Sequence, residues 1–132
     1  MIETTTDALR IAVRAADSKG GTAPIALSVS EFFPLADAFL IVTGSVERNV
    51  QAISDEIEDQ LNAAGMRTIR REGREGGRWI LLDFGDLIVH TFHHEEREFY
   101  GLERLWKDCP TIDVAAMLEG VSDLHHAQDA GV

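Results

Sequence analysis

The chain has 132 residues, 45% of them apolar, and its 23 acidic side chains outnumber its 12 Lys and Arg, which gives a net charge of −11. This length predicts one domain with its own core, the single cysteine excludes an internal disulfide, and the acidic balance argues against broad binding to nucleic acid, which needs clustered basic side chains. The N-terminus lacks the pattern of a signal peptide and no apolar run is long enough to span a membrane, so we expect a cytoplasmic protein without membrane contact.

The first part of the chain predicts one helix and two strands. Thr4 and Asp7 form the start signal of a helix that ends at Gly20. Strands are expected over residues 25–29 and 38–42. The second strand is an uninterrupted apolar run, which is typical of a strand covered on both faces.

The remainder predicts a helix, three strands and a last helix. Ser45 is expected to cap the first of these helices, whose apolar residues recur at helical spacing over residues 46–61. The later elements are, in chain order, a weak strand over residues 68–71, two strong strands over 78–83 and 86–92, and a helix over 95–107 with Phe99, Leu102 and Trp106 along one side. The two-residue connection Phe84-Gly85 predicts an antiparallel hairpin. We therefore predict an α/β single domain with a mixed five-stranded sheet flanked by helices.

Both faces of the predicted hairpin are apolar. Trp79 and Leu81 alternate with Ile80 and Leu82, and the three predicted helices are too few to cover both faces of the whole sheet. Some apolar sheet surface is therefore expected to stay uncovered, and such a patch usually marks an interaction site. This pattern predicts a partner or a dimer.

The sequence offers no convincing set of catalytic or metal-binding residues. Asp83 and Asp86 flank a tight turn, where carboxylates usually accept nearby backbone N–H groups. On a strand, His90 and His94 would share a face while His93 points away, and zinc needs three or four converging ligands. We therefore predict no metal and no cofactor, and a binding protein is favoured over an enzyme.

One rival hypothesis is an enzyme. Gly44-Ser45, between a strand and a helix, is similar to the opening of the nucleotidyltransferase motif, which receives a nucleotide phosphate at a helix N-terminus. The paired carboxylates of that motif are missing from the following strand, because the acidic side chains that come next lie on the predicted helix. The rival enzyme would be a small metal-dependent nucleotidyltransferase or hydrolase that uses Ser45, Asp83 and Asp86.

Residues 67–78 are a basic segment in this acidic chain. They contain five arginines and two glutamates, for a local charge of +3. The arginines either meet RNA locally or form a solvated loop, and the solvated loop is the commoner outcome for such a charge run.

Three blocks of the sequence resemble a known family. The blocks are residues 36–48, residues 77–92 and residues 97–106. The middle block is the most specific, because a Gly-x-Trp strand is followed by an Asp-Phe-Gly-Asp turn and a second strand that contains Val-His. Together the blocks resemble the ribosomal silencing factor family, also called Iojap, over residues 5–108.

The resemblance implies a function without catalysis. Members of the family bind the large ribosomal subunit at its intersubunit protein numbered fourteen, block joining of the small subunit and lower translation when nutrients are short. Their fold is similar in topology to that of nucleotidyltransferases but lacks the catalytic carboxylates, and free members are commonly homodimers. We therefore expect a translation repressor that binds this basic protein and is a homodimer when free, and a local contact of the basic segment with ribosomal RNA is left open. The alternative is an adaptor for assembly of the large subunit.

The resemblance also implies a partner-binding surface on the hairpin and the last helix. Trp79 and Ile80 are expected at its centre, and the less favoured alternative for Trp79 is an ordinary core tryptophan. The further residues expected at this surface are Leu81, Asp86, His90, Arg97, Tyr100 and Arg104.

The C-terminal part falls outside the resemblance. Residues 1–108 are predicted to form the ribosomal silencing factor domain, and residues 109–132 an acidic tail that is partly helical or disordered. One short amphipathic helix could contain Ile112, Val114, Met117, Leu118 and Val121. Disorder is expected beyond about residue 122.

Overall fold

Helices and strands follow one another through residues 2–119, the part of the chain that the computed structural model describes. In chain order the elements are α1 (Thr5–Ser18), β1 (Thr22–Ser28), β2 (Ala38–Gly44), α2 (Glu47–Ala63), β3 (Arg70–Glu72), β4 (Trp79–Asp83), β5 (Leu87–His93), α3 (His94–Tyr100), α4 (Leu102–Leu105) and β6 (Thr111–Ile112). Residues 114–119 are also helical. Within this part of the chain, every helix is too short or too polar to cross a membrane. The predicted α/β class is confirmed.

The strands form one mixed sheet in the order β3-β4-β5-β2-β1-β6. The two central strands, β5 and β2, are parallel, and the other neighbouring pairs are antiparallel. The predicted hairpin is β4–β5, in which Trp79 lies opposite Phe92 and Leu81 opposite His90. All seven residues of β2 are buried, as its apolar run predicts.

The prediction of five strands is wrong, because β6 adds a sixth. This strand pairs antiparallel with β1, with Ile112 opposite Ala26. Two residues are too few to show the alternation of a strand, and Ile112 fits equally well the apolar spacing of a helix that continues to Met117.

The single last helix predicted over residues 95–107 is divided into α3 and α4. Gly101 lies between them at φ +55°, in the left-handed region that glycine adopts more readily than other residues. The chain changes direction there, so Phe99 is not aligned with Leu102 and Trp106. The Phe99 side chain is 78% exposed, whereas the other two pack against the sheet.

The two faces of the sheet are covered to different extents. The helices α1 and α2 pack on one face, where Leu40 and Val42 are fully buried. On the other face, here called the open face, Trp106 packs on Phe39 with ring centroids 5.1 Å apart. At β4 the open face carries Trp79 and Leu81, which are partly buried. The sheet therefore leaves only part of these two side chains uncovered, less than predicted, and the partner or dimer inferred from such a surface stays a prediction.

The segment that follows residue 108 packs on the domain as far as it is described. Cys109 is buried, and the Arg14 guanidinium donates through Nε to the Met117 carbonyl at 3.0 Å. Residues 114–119 are helical as predicted, but Ile112 belongs to β6. Val121 and the predicted disorder lie outside the described residues, and the domain boundary at residue 108 stays a prediction.

The predicted start of α1 is confirmed. The Asp7 N–H donates to the Thr4 hydroxyl at 3.2 Å, and the Asp7 carboxylate accepts the Thr4 N–H at 3.2 Å. Replacing Thr4 by alanine removes one of these bonds, so we expect a loss of about 1 kcal/mol in the free energy of unfolding, measured by urea denaturation. Thr6→Ala, at an exposed site in the same turn, is the control. Equal losses in the two variants would contradict the capping role.

Candidate interaction surface

Four side chains with exposed apolar surface lie together on the open face. Trp79 stacks on the buried ring of Phe92, with centroids 4.8 Å apart, and is only partly buried itself. Tyr100, at the end of α3, places its ring 4.9 Å from the Trp79 ring, and Phe99 beside it is 78% exposed. Together with partly buried Leu81, residues Trp79, Phe99 and Tyr100 are called the Trp79 surface below. Exposed aromatic side chains of this kind are enriched in protein interfaces.

The buried side chain of His90 fixes the orientation of the Trp79 ring through a hydrogen bond. The Trp79 Nε1–H donates to His90 Nδ1 at 3.1 Å, so the neutral imidazole carries its proton on Nε2. His90 is 5% exposed and packs edge-on against Phe39, with centroids 5.2 Å apart. This burial lowers the pKa of His90 from 6.5 to about 4. His90 therefore belongs to the support of the Trp79 surface and not to its exposed part.

The burial of His90 predicts a dependence of stability on pH. The unfolded chain takes up the imidazole proton near pH 6.5, whereas the folded protein takes it up only near pH 4. Below pH 6.5 the unfolded state therefore binds more protons, and stability falls as the pH falls, with a slope of up to about 1.4 kcal/mol per pH unit from this group. In His90→Asn, which keeps an acceptor but does not titrate, we expect this contribution to disappear. Denaturation curves between pH 7 and pH 4 measure it, and an unchanged slope would contradict the assignment.

Ile80 does not lie on the surface where the resemblance placed it. Consecutive strand residues point to opposite faces, and Ile80 lies opposite Thr91 on the helix-covered face, where it is 1% exposed. The expectation that it accompanies Trp79 is wrong, and Leu81 occupies that position instead. The alternation of β4 could not reveal this, because both of its faces are apolar. Asp86 is exposed, but it lies in the turn at the other end of the hairpin.

The two predicted arginines of the last helix have different environments. The Arg97 side chain is 10% exposed and donates to the Thr43 hydroxyl at 2.7 Å and to the Ala23 carbonyl, while it pairs with Glu103 at 3.3 Å. These bonds hold α3, and with it Tyr100, on the sheet. Arg104 is exposed and accessible to a partner.

The basic segment over residues 67–78 is largely neutralised by neighbouring carboxylates. The ion pairs are Arg71 with Glu58, Arg74 with Asp55 and Arg78 with Glu96, each with 2.6 Å between nitrogen and oxygen. The hydrogen bond from Arg74 lowers the pKa of the Asp55 carboxyl. These pairs hold the segment against α2 and α3, and Arg70 pairs with Glu72 at 3.7 Å, so four of its five arginines form ion pairs within the described residues. The local contact with RNA stays a prediction.

The expected cap at Ser45 is wrong in detail. Val46 is the N-cap residue of α2 and makes no side-chain cap bond. The Ser45 N–H instead donates to the Asn49 side-chain oxygen at 2.9 Å, and the Asn49 amide donates to the Lys19 carbonyl at 2.8 Å. The polar groups at this helix start therefore serve a contact between α1 and α2.

The residues of the rival enzyme hypothesis are not brought together. Gly44, the residue before Ser45, pairs with His93 of β5. Asp83 pairs with Ile88 of the same strand. This separation of five residues corresponds to about 16 Å along a strand. Asp83 also accepts the Gly85 N–H at 2.8 Å, which confirms its predicted turn role.

The histidines at the end of β5 do not follow the predicted strand pattern. His94 begins α3 and stacks on His93, with ring centroids 4.5 Å apart, so it does not share a strand face with His90. The side chains of His93, His94 and Glu95 place ligand atoms within 4.8 Å of one another. His93 Nδ1, however, accepts the Glu95 N–H as the cap of α3. The expectation of no metal stays a prediction.

Sequence reasoning missed two exposed residues beside Trp79. The helical spacing predicts Phe99 on the packed side of one long helix. Gly101 is the residue that argues against one continuous helix, because a glycine can interrupt it. Glu72 lies opposite Leu81 on the open face, but the predicted weak strand ends at residue 71. A strand longer by one residue would have placed Glu72 beside the hairpin.

The fold and its aromatic surface define the class, a small α/β domain whose mixed sheet is flanked by helices. Comparison with known proteins then identifies the family. The family model described as "Ribosomal silencing factor during starvation" matches residues 2–131. The chain belongs to the ribosomal silencing factor family, as its three sequence blocks indicate.

Individual relatives agree with this assignment. The ribosomal silencing factor RsfS of Halalkalibacterium halodurans is 43% identical over 113 residues, which cover 86% of this chain and 93% of that protein. The RsfS of Bacillus subtilis is 42% identical over 106 residues, which cover 80% of this chain and 90% of that protein. A crystal structure of a Chromobacterium violaceum protein has a TM-score of 0.78 at 30% identity and covers 80% of this chain and 88% of that chain. The similarity therefore extends through most of the chain.

Proposed function

We propose that this chain binds the large ribosomal subunit through the Trp79 surface and thereby prevents the small subunit from joining. The observation that carries the proposal is the partly buried Trp79 ring, stacked on Phe92 and hydrogen-bonded to His90. An aromatic ring held in one orientation loses little conformational entropy on binding, which suits an anchor residue. Family membership supports the ribosome as the target.

The proposed contact on the ribosome is the intersubunit protein numbered fourteen. A basic ribosomal protein would attract a chain whose net charge is −11, and this long-range attraction would raise the association rate. The aromatic centre would then supply most of the binding free energy. Occupation of the intersubunit face is sufficient for repression, so the proposed mechanism is steric and requires no catalysis.

The proposal has three further parts. The protein acts in the cytoplasm, where it meets free large subunits. It is a homodimer when it is not bound to the ribosome. Its topology is related to that of nucleotidyltransferases, although it acts as a binding protein and not as an enzyme.

Sedimentation through a sucrose gradient tests the proposal. The purified protein is mixed with isolated large and small subunits at low and at high magnesium concentration. We expect it to migrate with the large subunit and to reduce the fraction of joined particles at high magnesium. Binding without loss of joining would instead support the assembly adaptor. Absence of binding to either subunit would contradict the proposal and lead to calorimetry with Mg²⁺ and nucleotide as a test of the rival enzyme.

A further inference from the structure

A cleft beside Trp79 combines apolar side chains with one carboxylate. It lies between β3 and β4, has a volume of about 290 Å³, and is lined by Glu72, Gly73, Trp79 and Leu81. Glu72 lies opposite Leu81 in the strand register, so the carboxylate and the apolar side chain share the open face. Small-molecule sites usually measure about 300–1,000 Å³. A cleft just below this range suits one inserted side chain better than a cofactor.

The carboxylate in the cleft is only weakly engaged within the chain. Its ion pair is with Arg70, at 3.7 Å, and both side chains are about 60% exposed. Exposed pairs with this geometry contribute little to stability. By contrast, Arg71 and Arg74 make 2.6 Å pairs with acidic residues of α2. Glu72 is therefore free to exchange Arg70 for a cation supplied from outside.

We infer that this cleft receives an arginine or lysine side chain of the protein partner, with Glu72 as the residue that selects a cation there. The apolar stem of such a side chain would pack on Leu81, its charged group would lie against the Trp79 ring, and its nitrogen atoms would donate to the Glu72 carboxylate. The inference rests on the proposed function, because it assigns to the ribosomal partner a particular contact within the Trp79 surface.

The charge of the cleft favours a basic partner over two other occupants, a second copy of this chain and an apolar side chain. A second copy of this chain also carries a net charge of −11, so long-range repulsion opposes its approach to the same acidic cleft. A purely apolar side chain would leave the Glu72 carboxylate without a partner while it removed water from it, which is unfavourable. A cationic side chain with an apolar stem would pack on Leu81 and also pair with the Glu72 carboxylate.

The experiment measures the affinity of full-length variants for isolated large ribosomal subunits at two salt concentrations. Glu72→Gln removes the charge and Glu72→Lys reverses it, both at an exposed position that tolerates substitution. Asp59→Asn is the control, because Asp59 is exposed on α2, which packs on the other face of the sheet. We expect Glu72→Gln to weaken binding about ten-fold at low salt and less at high salt, as for a lost charge-assisted hydrogen bond. Glu72→Lys should weaken it further, and Asp59→Asn by less than about two-fold.

The outcomes distinguish this inference from the proposed function. If the unmodified protein does not bind large subunits, the proposed function fails. If it binds, and Trp79→Ala weakens binding while both Glu72 variants bind normally, the proposed function stands and the cleft assignment is overturned. If the Glu72 variants change only self-association in gel filtration, the occupant is a second copy and the inference is again overturned.

Discussion

Trp79→Ala is expected to weaken binding to isolated large ribosomal subunits by about 2 kcal/mol or more, the effect typical of a central anchor residue. The variant removes the partly buried ring that lies between Phe92 and the open surface and that contacts Tyr100. Sedimentation with a titrated amount of large subunits measures the change. Trp79→Phe retains a ring but not the Nε1–H that donates to His90. Its affinity for the large subunit should therefore lie between that of the unmodified protein and that of Trp79→Ala.

Two controls separate this loss from a general effect. Ile69→Ala removes an apolar side chain that is 69% exposed near the other end of the hairpin, beside Gly85, and binding should be unchanged. Far-ultraviolet circular dichroism and a cooperative thermal transition establish that Trp79→Ala is folded. A folded Trp79→Ala protein with unchanged affinity would rule out the Trp79 surface as the contact site.

Gly73→Ala is expected to lower the free energy of unfolding by about 3 kcal/mol, because the substitution introduces both backbone strain and a steric overlap. Gly73 has φ +83°, a conformation that alanine adopts only with strain. In addition, an added Cβ would overlap the carbonyl oxygen of Trp79. The β3–β4 connection would have to move, and Trp79 with it, so affinity for the large subunit should fall as well. Urea denaturation and subunit sedimentation measure the two effects.

Gly76→Ala is the matched control in the same connection. Gly76 is outside the left-handed region, and the nearest atom to an added Cβ is the Gly73 carbonyl oxygen at 3.9 Å. The expected change in stability is within about 0.5 kcal/mol. If Gly73→Ala proved as stable as Gly76→Ala, the close approach of the two backbones at Trp79 would be refuted.

The elements with strong local signals could be predicted from the sequence. The α1 start depends on contacts between Thr4 and Asp7, which are three residues apart, and the structure shows both bonds. The buried strand β2 and the β4–β5 hairpin also follow from short runs of apolar residues, although the hairpin connection is residues 84–86 and not the two residues predicted. The aromatic part of the candidate surface was partly predicted for the same reason, because Trp79 belongs to this hairpin.

The remaining features depend on contacts between distant parts of the chain. Whether Trp79 or Ile80 faces outward depends on which face α1 and α2 cover, and the alternation of β4 cannot specify that choice. Likewise, β6 exists because Ile112 meets Ala26, 86 positions earlier in the sequence. The charge at the Glu72 cleft could not be predicted either, since it depends on which arginines the acidic residues of α2 engage.

The outer strand β3 influences how molecules of this protein can associate. An edge strand with free backbone groups is a template on which another chain can extend the sheet, and this is a route to aggregation. Here the edge consists of Arg70, Arg71 and Glu72, all exposed, and it is only three residues long. A short, charged edge is a poor template, so growth of the sheet from strand to strand is disfavoured at β3. The apolar face can thus remain available to a partner while self-assembly through this edge is suppressed.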